Sequence, residues 1–174
     1  MTVARELLGK TLVFGSAAGR ITEVEAYLGK LDLAAHASRG ITERTRVIYG
    51  PPAHAYIYLI YGIHECLNLI SEPDGTPGCV LIRALSPLNG LSSMRARRPR
   101  IEEDTALCRG PGCLTRALGI TRELNGTPLK RPGIHVADQG CTPEIAVSRR
   151  IGIAKCADWP LRFFIPGDPS VSGR

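Results

Sequence analysis

The sequence predicts an α+β domain built on a curved, mainly antiparallel sheet with helices around it. Three observations lead there. Apolar runs of strand length are joined by tight turns rather than by long helical crossovers, which is how antiparallel neighbours connect. Helical periodicity is confined to short segments, so helices flank the sheet instead of alternating with its strands. Finally, 174 residues at 44% hydrophobic and 22% charged suffice for one core, and no low-complexity linker divides them. Residues 1–174 therefore read as a single domain.

Ala4 to Leu8 reads as a short helix, followed by a strand at Thr11 to Phe14. Gly15 to Gly19 reads as a turn, and Arg20 to Tyr27 as a second strand. Leu28 to Gly50 is polar and loop-like, with Arg39, Arg44 and Arg46 along it. Ala55 to Ile60 and Ile63 to Ile70 are strands rich in Ile, Leu and Tyr, separated only by Tyr61 and Gly62. That is the two-residue spacing of a β-hairpin, with Tyr61 at its protruding tip. A turn at Pro73 to Gly78 leads into an apolar strand from Cys79 to Ala84. Helical pattern returns at Leu91 to Arg98 and, behind the turn Gly110-Pro111-Gly112, at Leu114 to Leu118. Short strands then alternate with Pro/Gly turns as far as Leu161 to Ile165.

A formal net charge of +6 and a pI near 9.2 favour an anionic partner, without distinguishing DNA, RNA and anionic lipid. Arginines outnumber lysines 18 to 4, which suits phosphate and base contacts or reflects coding bias alone. Met1 to Leu12 interrupts its apolar residues with Arg5, Glu6 and Lys10, unlike a secretory signal. No stretch approaches the ~18 apolar residues of a membrane span. The six cysteines are scattered without a C-x-x-C pair, which favours a reduced protein over a disulfide scaffold. Cys108 and Cys113 lack a second pair at ligand spacing, so no metal site is expected.

The chemistry concentrates in a few places. On an alternating strand Glu23, Glu25 and Tyr27 share one face. Two carboxylates beside a ring suit a pocket that stacks a planar group and activates water, or else a solvated strand face. A negative charge there would also stabilise an oxocarbenium-like sugar. His36 lies among small residues where it could approach a ligand, and Asn68 could read a base edge or bond to backbone. Arg83 stands alone in an apolar strand, where an unpaired charge is costly; it needs an anion such as Glu25. The run Arg95 to Arg100 is followed by Glu102, Glu103 and Asp104, so it reads as a basic contact or a self-paired surface. Tyr61 at a hairpin tip of a basic protein suggests a wedge between stacked bases.

With these residues in view, the chain resembles the alkyladenine (3-methyladenine) DNA glycosylase family over nearly its whole length. The matching motifs are Glu23-Val24-Glu25-Ala26-Tyr27-Leu28-Gly29, Ala34-Ala35-His36 and Tyr56-Ile57-Tyr58-Leu59-Ile60-Tyr61-Gly62. Cys66-Leu67-Asn68, Val80-Leu81-Ile82-Arg83-Ala84-Leu85, Arg109-Gly110-Pro111-Gly112 and Pro160-Leu161-Arg162-Phe163-Phe164 complete the set.

The resemblance implies a monofunctional enzyme of base excision repair. Such an enzyme flips damaged purines (3-methyladenine, hypoxanthine, ethenoadenine and other alkylpurines) out of duplex DNA and hydrolyses the N-glycosidic bond with a Glu-activated water. It implies Glu25 as general base, with Arg83 and the backbone carbonyl of Ile151 holding the water. Tyr27, His36 and Tyr58 would sandwich the purine, Asn68 would screen out the exocyclic amino group of guanine, and Tyr61 would fill the vacated space in the duplex. No cofactor or metal is implied. The implied partner is double-stranded DNA containing damaged purines, bound by a monomer away from membranes. The place would be the cytoplasm or nucleoid of a prokaryote, or the nucleus of a eukaryote, and not the exterior. Ile63 and His64 depart from the methionine and tyrosine that relatives carry beside the wedge. The rival readings are a non-catalytic nucleic-acid-binding domain, in which Glu25 would be dispensable, and a nucleosidase acting on free small substrates.

Overall fold

A computed structural model describes residues 1–173. Its strands are β1 (Thr11–Phe14), β2 (Ala17–Tyr27), β3 (Ala55–Ile60), β4 (His64–Ile70), β5 (Cys79–Asn89), β6 (His135–Ala137), β7 (Ala146–Ser148) and β8 (Arg162–Phe164). Three α-helices accompany them: α1 (Thr2–Leu7), α2 (Leu91–Arg97) and α3 (Pro111–Leu118). All strands belong to one antiparallel sheet with the path β3-β4-β5-β2-β1-β6. The central strand β2 pairs with β5 along its length. Its other edge is shared, Ala17 to Arg20 lying against β1 and Glu23 to Glu25 against β8, which also pairs with β7. The outer edge of β3 is covered by Asn125–Thr127, through the bond from Ile57 N–H to Asn125 Oδ1 and backbone bonds at Ala55.

Alternation divides the sheet into two faces. Val24 and Ala26, Ala55 and Ile57, Leu67 and Leu69, and Val80 and Ile82 point to one side. There they join Leu7, Met94, Leu114, Ala117 and Leu118 of the helices in the main core. The opposite face of the same strands carries a smaller cluster of Tyr56, Ile70 and Cys79 with Ala37, Ile48 and Tyr49 from the connection between β2 and β3. That connection is wound into two 3₁₀ turns, His36–Arg39 and Arg46–Tyr49, where the sequence suggests only loop.

Several boundaries differ from expectation for identifiable reasons. The turn before β2 is shorter than Gly15 to Gly19, since Ala17 to Gly19 already pair with β1. Gly19 serves there as a strand residue because a Cβ would lie 2.8 Å from Leu85 Cβ, where β2 and β5 run too close for a side chain. β5 continues beyond Ala84 to Asn89, pairing with the first half of β2. The Gly110-Pro111-Gly112 turn is itself the start of α3, with Pro111 in the first turn where a missing N–H costs nothing.

At the hairpin Ile60 pairs with His64, so the connection is the three residues Tyr61, Gly62 and Ile63. Tyr61 (φ 54°) and Gly62 (φ 71°) both adopt left-handed backbone. The extra residue releases Ile63 from the strand and leaves it exposed.

Candidate active site

Over the second face of the sheet lies a cavity of about 470 Å³. Its floor is Tyr27 of β2, Tyr56 and Tyr58 of β3, Cys66 and Asn68 of β4, and Cys79, Leu81 and Arg83 of β5. The walls are the Ala34–Ala37 segment, the N-terminus of α3 from Gly110 to Cys113, and the Ile151–Ile153 segment. Tyr61 stands at the rim, 82% exposed. Gly112 packs so closely on His64 that a Cβ would lie 2.8 Å from the His64 Cβ, which fixes the base of the hairpin against α3.

Two fully buried carboxylates share Arg83. Its Nε donates to Glu23 Oε1 at 2.9 Å, and its Nη1 lies 3.2 Å from Glu25 Oε1. A pair of compensating slips between β2 and β5 makes this possible. Thr22 is unpaired on β2 and Arg83 on β5, which inserts the arginine between the two glutamates. Glu23 also accepts from Arg162 Nε at 2.6 Å and from the Ser172 N–H at 2.6 Å. Arg83 Nη2 reaches Ser172 Oγ at 3.3 Å. Glu23 is thus the structural anion of the cluster, held by two guanidiniums and a backbone donor.

Glu25 has a different environment. Oε1 accepts from the Ile151 N–H at 2.8 Å as well as facing Arg83; among the described residues Oε2 accepts only from the Tyr27 hydroxyl, at 2.9 Å. Burial raises its pKa above the usual 4.5, and Arg83, the Ile151 N–H and the Tyr27 hydroxyl pull against that rise. Glu25 is therefore a stronger base than an exposed glutamate, with an Oε2 lone pair left uncommitted. It stands one layer behind the cavity wall, directly bonded to three wall residues: Tyr27, Arg83 and Ile151.

The aromatic residues form a continuous wall. The rings of His36 and Tyr58 meet edge-on at 4.5 Å and 75°, so they act together rather than as two separate leaves. His36 Nδ1 bonds to the Tyr56 hydroxyl at 2.9 Å, and Tyr56 packs 5.6 Å from Tyr58. Burial, reinforced by Arg44 and Arg39, depresses the His36 pKa to about 4, so the imidazole is neutral at pH 7. Burial raises the Tyr27 and Tyr58 hydroxyls, which stay protonated. Arginine guanidiniums cover one face of each ring: Arg150 over Tyr27 at 4.6 Å and Arg44 over Tyr58 at 5.1 Å. Asn68 is buried, its Nδ2 donating to the Tyr56 carbonyl and its Oδ1 facing the Cys79 thiol, which burial pushes up to about 12 and keeps protonated.

The structure thus gathers Glu25, Arg83, Tyr27 and Ile151 into direct contact, and lines the same cavity with His36, Tyr58, Asn68 and Tyr61. The contact that Ile151 makes to Glu25 is through its N–H rather than its carbonyl. The arginine run is largely structural. Arg95 pairs with Asp104, Arg97 holds the Ala117 carbonyl at the end of α3, and Arg98 holds the Ala106 carbonyl. Among the described residues no three His, Cys, Asp or Glu side chains are grouped as metal ligands would be, and no helix is long and apolar enough to cross a membrane.

Sequence reasoning missed Arg162, although its place in Leu161-Arg162-Phe163-Phe164 repeats the signal that marked Arg83. It also missed Asp32 and Arg150, both fully buried, which form a two-pronged ion pair at the back of the pocket.

The model of the methylpurine-DNA glycosylase family matches residues 1–169. A protein of Rhodopseudomonas palustris is 52% identical over 92% of this chain and 77% of its own length. One from the archaeon Methanoculleus marisnigri is 48% identical over 100% of this chain and 94% of its own. A third, from Corynebacterium jeikeium, is 47% identical over 98% and 85%. Each bears the name "Putative 3-methyladenine DNA glycosylase". The chain belongs to the methylpurine-DNA glycosylase family and is a DNA glycosylase.

Proposed function

We propose that this glycosylase acts as a monomer on duplex DNA, extrudes a damaged purine into the 470 Å³ cavity, and hydrolyses its bond to the sugar with a water activated by Glu25. A base within the stack cannot be reached, so extrusion comes first. It costs a few kcal/mol, least where damage weakens pairing. Tyr61, exposed at the hairpin tip, takes the space the nucleotide leaves. The purine then lies between Tyr27 and the His36–Tyr58 wall, while Asn68 at the floor disfavours the extra amino group of guanine.

The observation that carries this reading is the buried Glu25 with its pKa raised and one oxygen only half engaged. Water adds its oxygen to C1′ of the sugar and passes a proton to Glu25 Oε2. The electron pair of the glycosidic bond leaves with the purine. Arg83 and Ile151 hold the carboxylate and, with it, the water. Alkylation at a ring nitrogen makes the purine a cation that departs as a neutral molecule, so no acid is needed for that class. The same cavity would take hypoxanthine and ethenoadenine, whose departure requires a proton from elsewhere. A free purine and an unbroken abasic strand should form from a duplex bearing one alkylated purine. Strand cleavage without added base, or release from free nucleosides but not from duplex, contradicts the proposal. Binding without release would favour the non-catalytic domain instead.

A further inference from the structure

The Asp32–Arg150 pair lies outside the contacts assigned above to the purine and the water, yet it is a dense buried polar cluster beside them, in which Arg150 Nε alone finds no partner among the described residues. Both side chains have no exposed surface. Asp32 accepts from both Arg150 Nη atoms, with Nη2–Oδ1 at 2.8 Å, and from the backbone N–H groups of Leu28 (3.2 Å) and Ala34 (3.1 Å). Arg150 in turn donates to the Ala26 carbonyl of β2 at 3.1 Å, and its guanidinium covers the Tyr27 ring. One ion pair therefore ties three pieces of chain together: the end of β2, the connection that carries His36, and the segment that carries Ile151. The peptide N–H next after Arg150 is the one that donates to Glu25.

We infer that Asp32 is a positioning residue for the reaction: by clamping Arg150 it holds the Ile151 N–H on Glu25 and keeps that carboxylate in its proton-accepting form. The inference rests on Glu25 being the base. The buried pair is a costly way to add stability, since apolar residues of similar volume commonly serve as well or better. Its geometric yield is what an apolar pair could not supply: a planar fork that fixes the direction of the adjoining backbone. The other groups facing Glu25 are Glu23 and Tyr27 from β2, Arg83 from β5, Cys66 from β4 and Arg150 itself, with Arg162 of β8 neutralising Glu23. Of these only Arg150 touches Asp32, so Asp32→Asn alone reads the Ile151 donor, whereas replacing Arg150 as well also removes a positive charge that favours ionised Glu25.

The test is the pH dependence of single-turnover excision from a duplex carrying one alkylated purine, for wild type, Asp32→Asn and the double variant Asp32→Asn/Arg150→Gln. The double variant leaves no unpaired buried charge, so it remains informative where the single one folds poorly. The expected result is an acid limb displaced to higher pH by about one unit, with the alkaline plateau kept within a few fold. A merely structural role gives the opposite pattern: less folded protein, or a uniform loss of rate at every pH, with the limb unmoved. An unmoved limb in a folded variant overturns the inference. Glu25→Gln separates this from failure of the underlying reading. Full activity in that variant removes Glu25 as the base, whereas an inactive Glu25→Gln beside an unmoved limb in Asp32→Asn overturns only the role of Asp32.

Discussion

The Ile151 N–H donates to Glu25 Oε1 at 2.8 Å across 126 positions of chain. Its consequence is directional. A backbone donor lowers the proton affinity of a buried carboxylate, so it offsets part of the rise that burial imposes on Glu25. Activity that depends on ionised Glu25 should therefore fall as pH drops through a value above the ordinary carboxylate range.

Arg83→Gln should remove the largest of the opposing contributions and leave Glu23 and Glu25 facing one another in the interior. The expected loss of stability is roughly 3–5 kcal/mol, as for other broken buried pairs. Denaturant unfolding measures it. In whatever folded protein remains, the acid limb of excision should lie at higher pH than in wild type.

His36 gives a stability signature of its own. It is neutral in the fold, with a pKa near 4, but takes up a proton near 6.5 when unfolded. Its contribution is fully present above pH 6.5 and declines as pH falls from 6.5 towards 4. His36→Gln should flatten the dependence of unfolding free energy on pH in that window relative to wild type. An unchanged slope would mean that the imidazole charges freely in the native state.

Tyr61 holds φ at 54°, a conformation that suits glycine better than a side chain with a Cβ. Tyr61→Gly should leave stability within about 1 kcal/mol of wild type, because relief of strain offsets the greater freedom of the unfolded chain. Excision from duplex should nonetheless drop by tenfold or so, and excision from single-stranded DNA much less, since a wedge matters only where there is a stack to open.

Asn68 is fixed by the Tyr56 carbonyl at one end and the Cys79 thiol at the other. Asn68→Ala should narrow the preference for hypoxanthine over guanine by about tenfold, as expected when one polar discriminating contact is lost. Competition between duplexes bearing each base in the same sequence context measures the ratio.

Much of this site is legible in the linear order of residues because strand alternation is a local property. The shared face of Glu23, Glu25 and Tyr27, and the need of Arg83 for an anion, follow from period two and from the cost of a buried charge. What alternation cannot reveal is a slip. The unpaired Thr22 and Arg83 let one guanidinium serve both glutamates, and nothing in either strand announces it. The Asp32–Arg150 pair spans 118 positions and joins two irregular segments, where no periodicity exists to read. The third residue of the hairpin connection is hidden for a similar reason. Tyr61-Gly62 looks like a complete two-residue turn until the Ile60–His64 pairing sets the register.

Glu25→Gln keeps the volume and most contacts of the carboxylate but cannot take up a proton from water. Single-turnover release of purine by this variant should fall by 10²–10⁴ or about that range, while its affinity for a duplex containing the lesion stays near that of wild type. Release at the wild-type rate with binding intact would show that Glu25 is not the base.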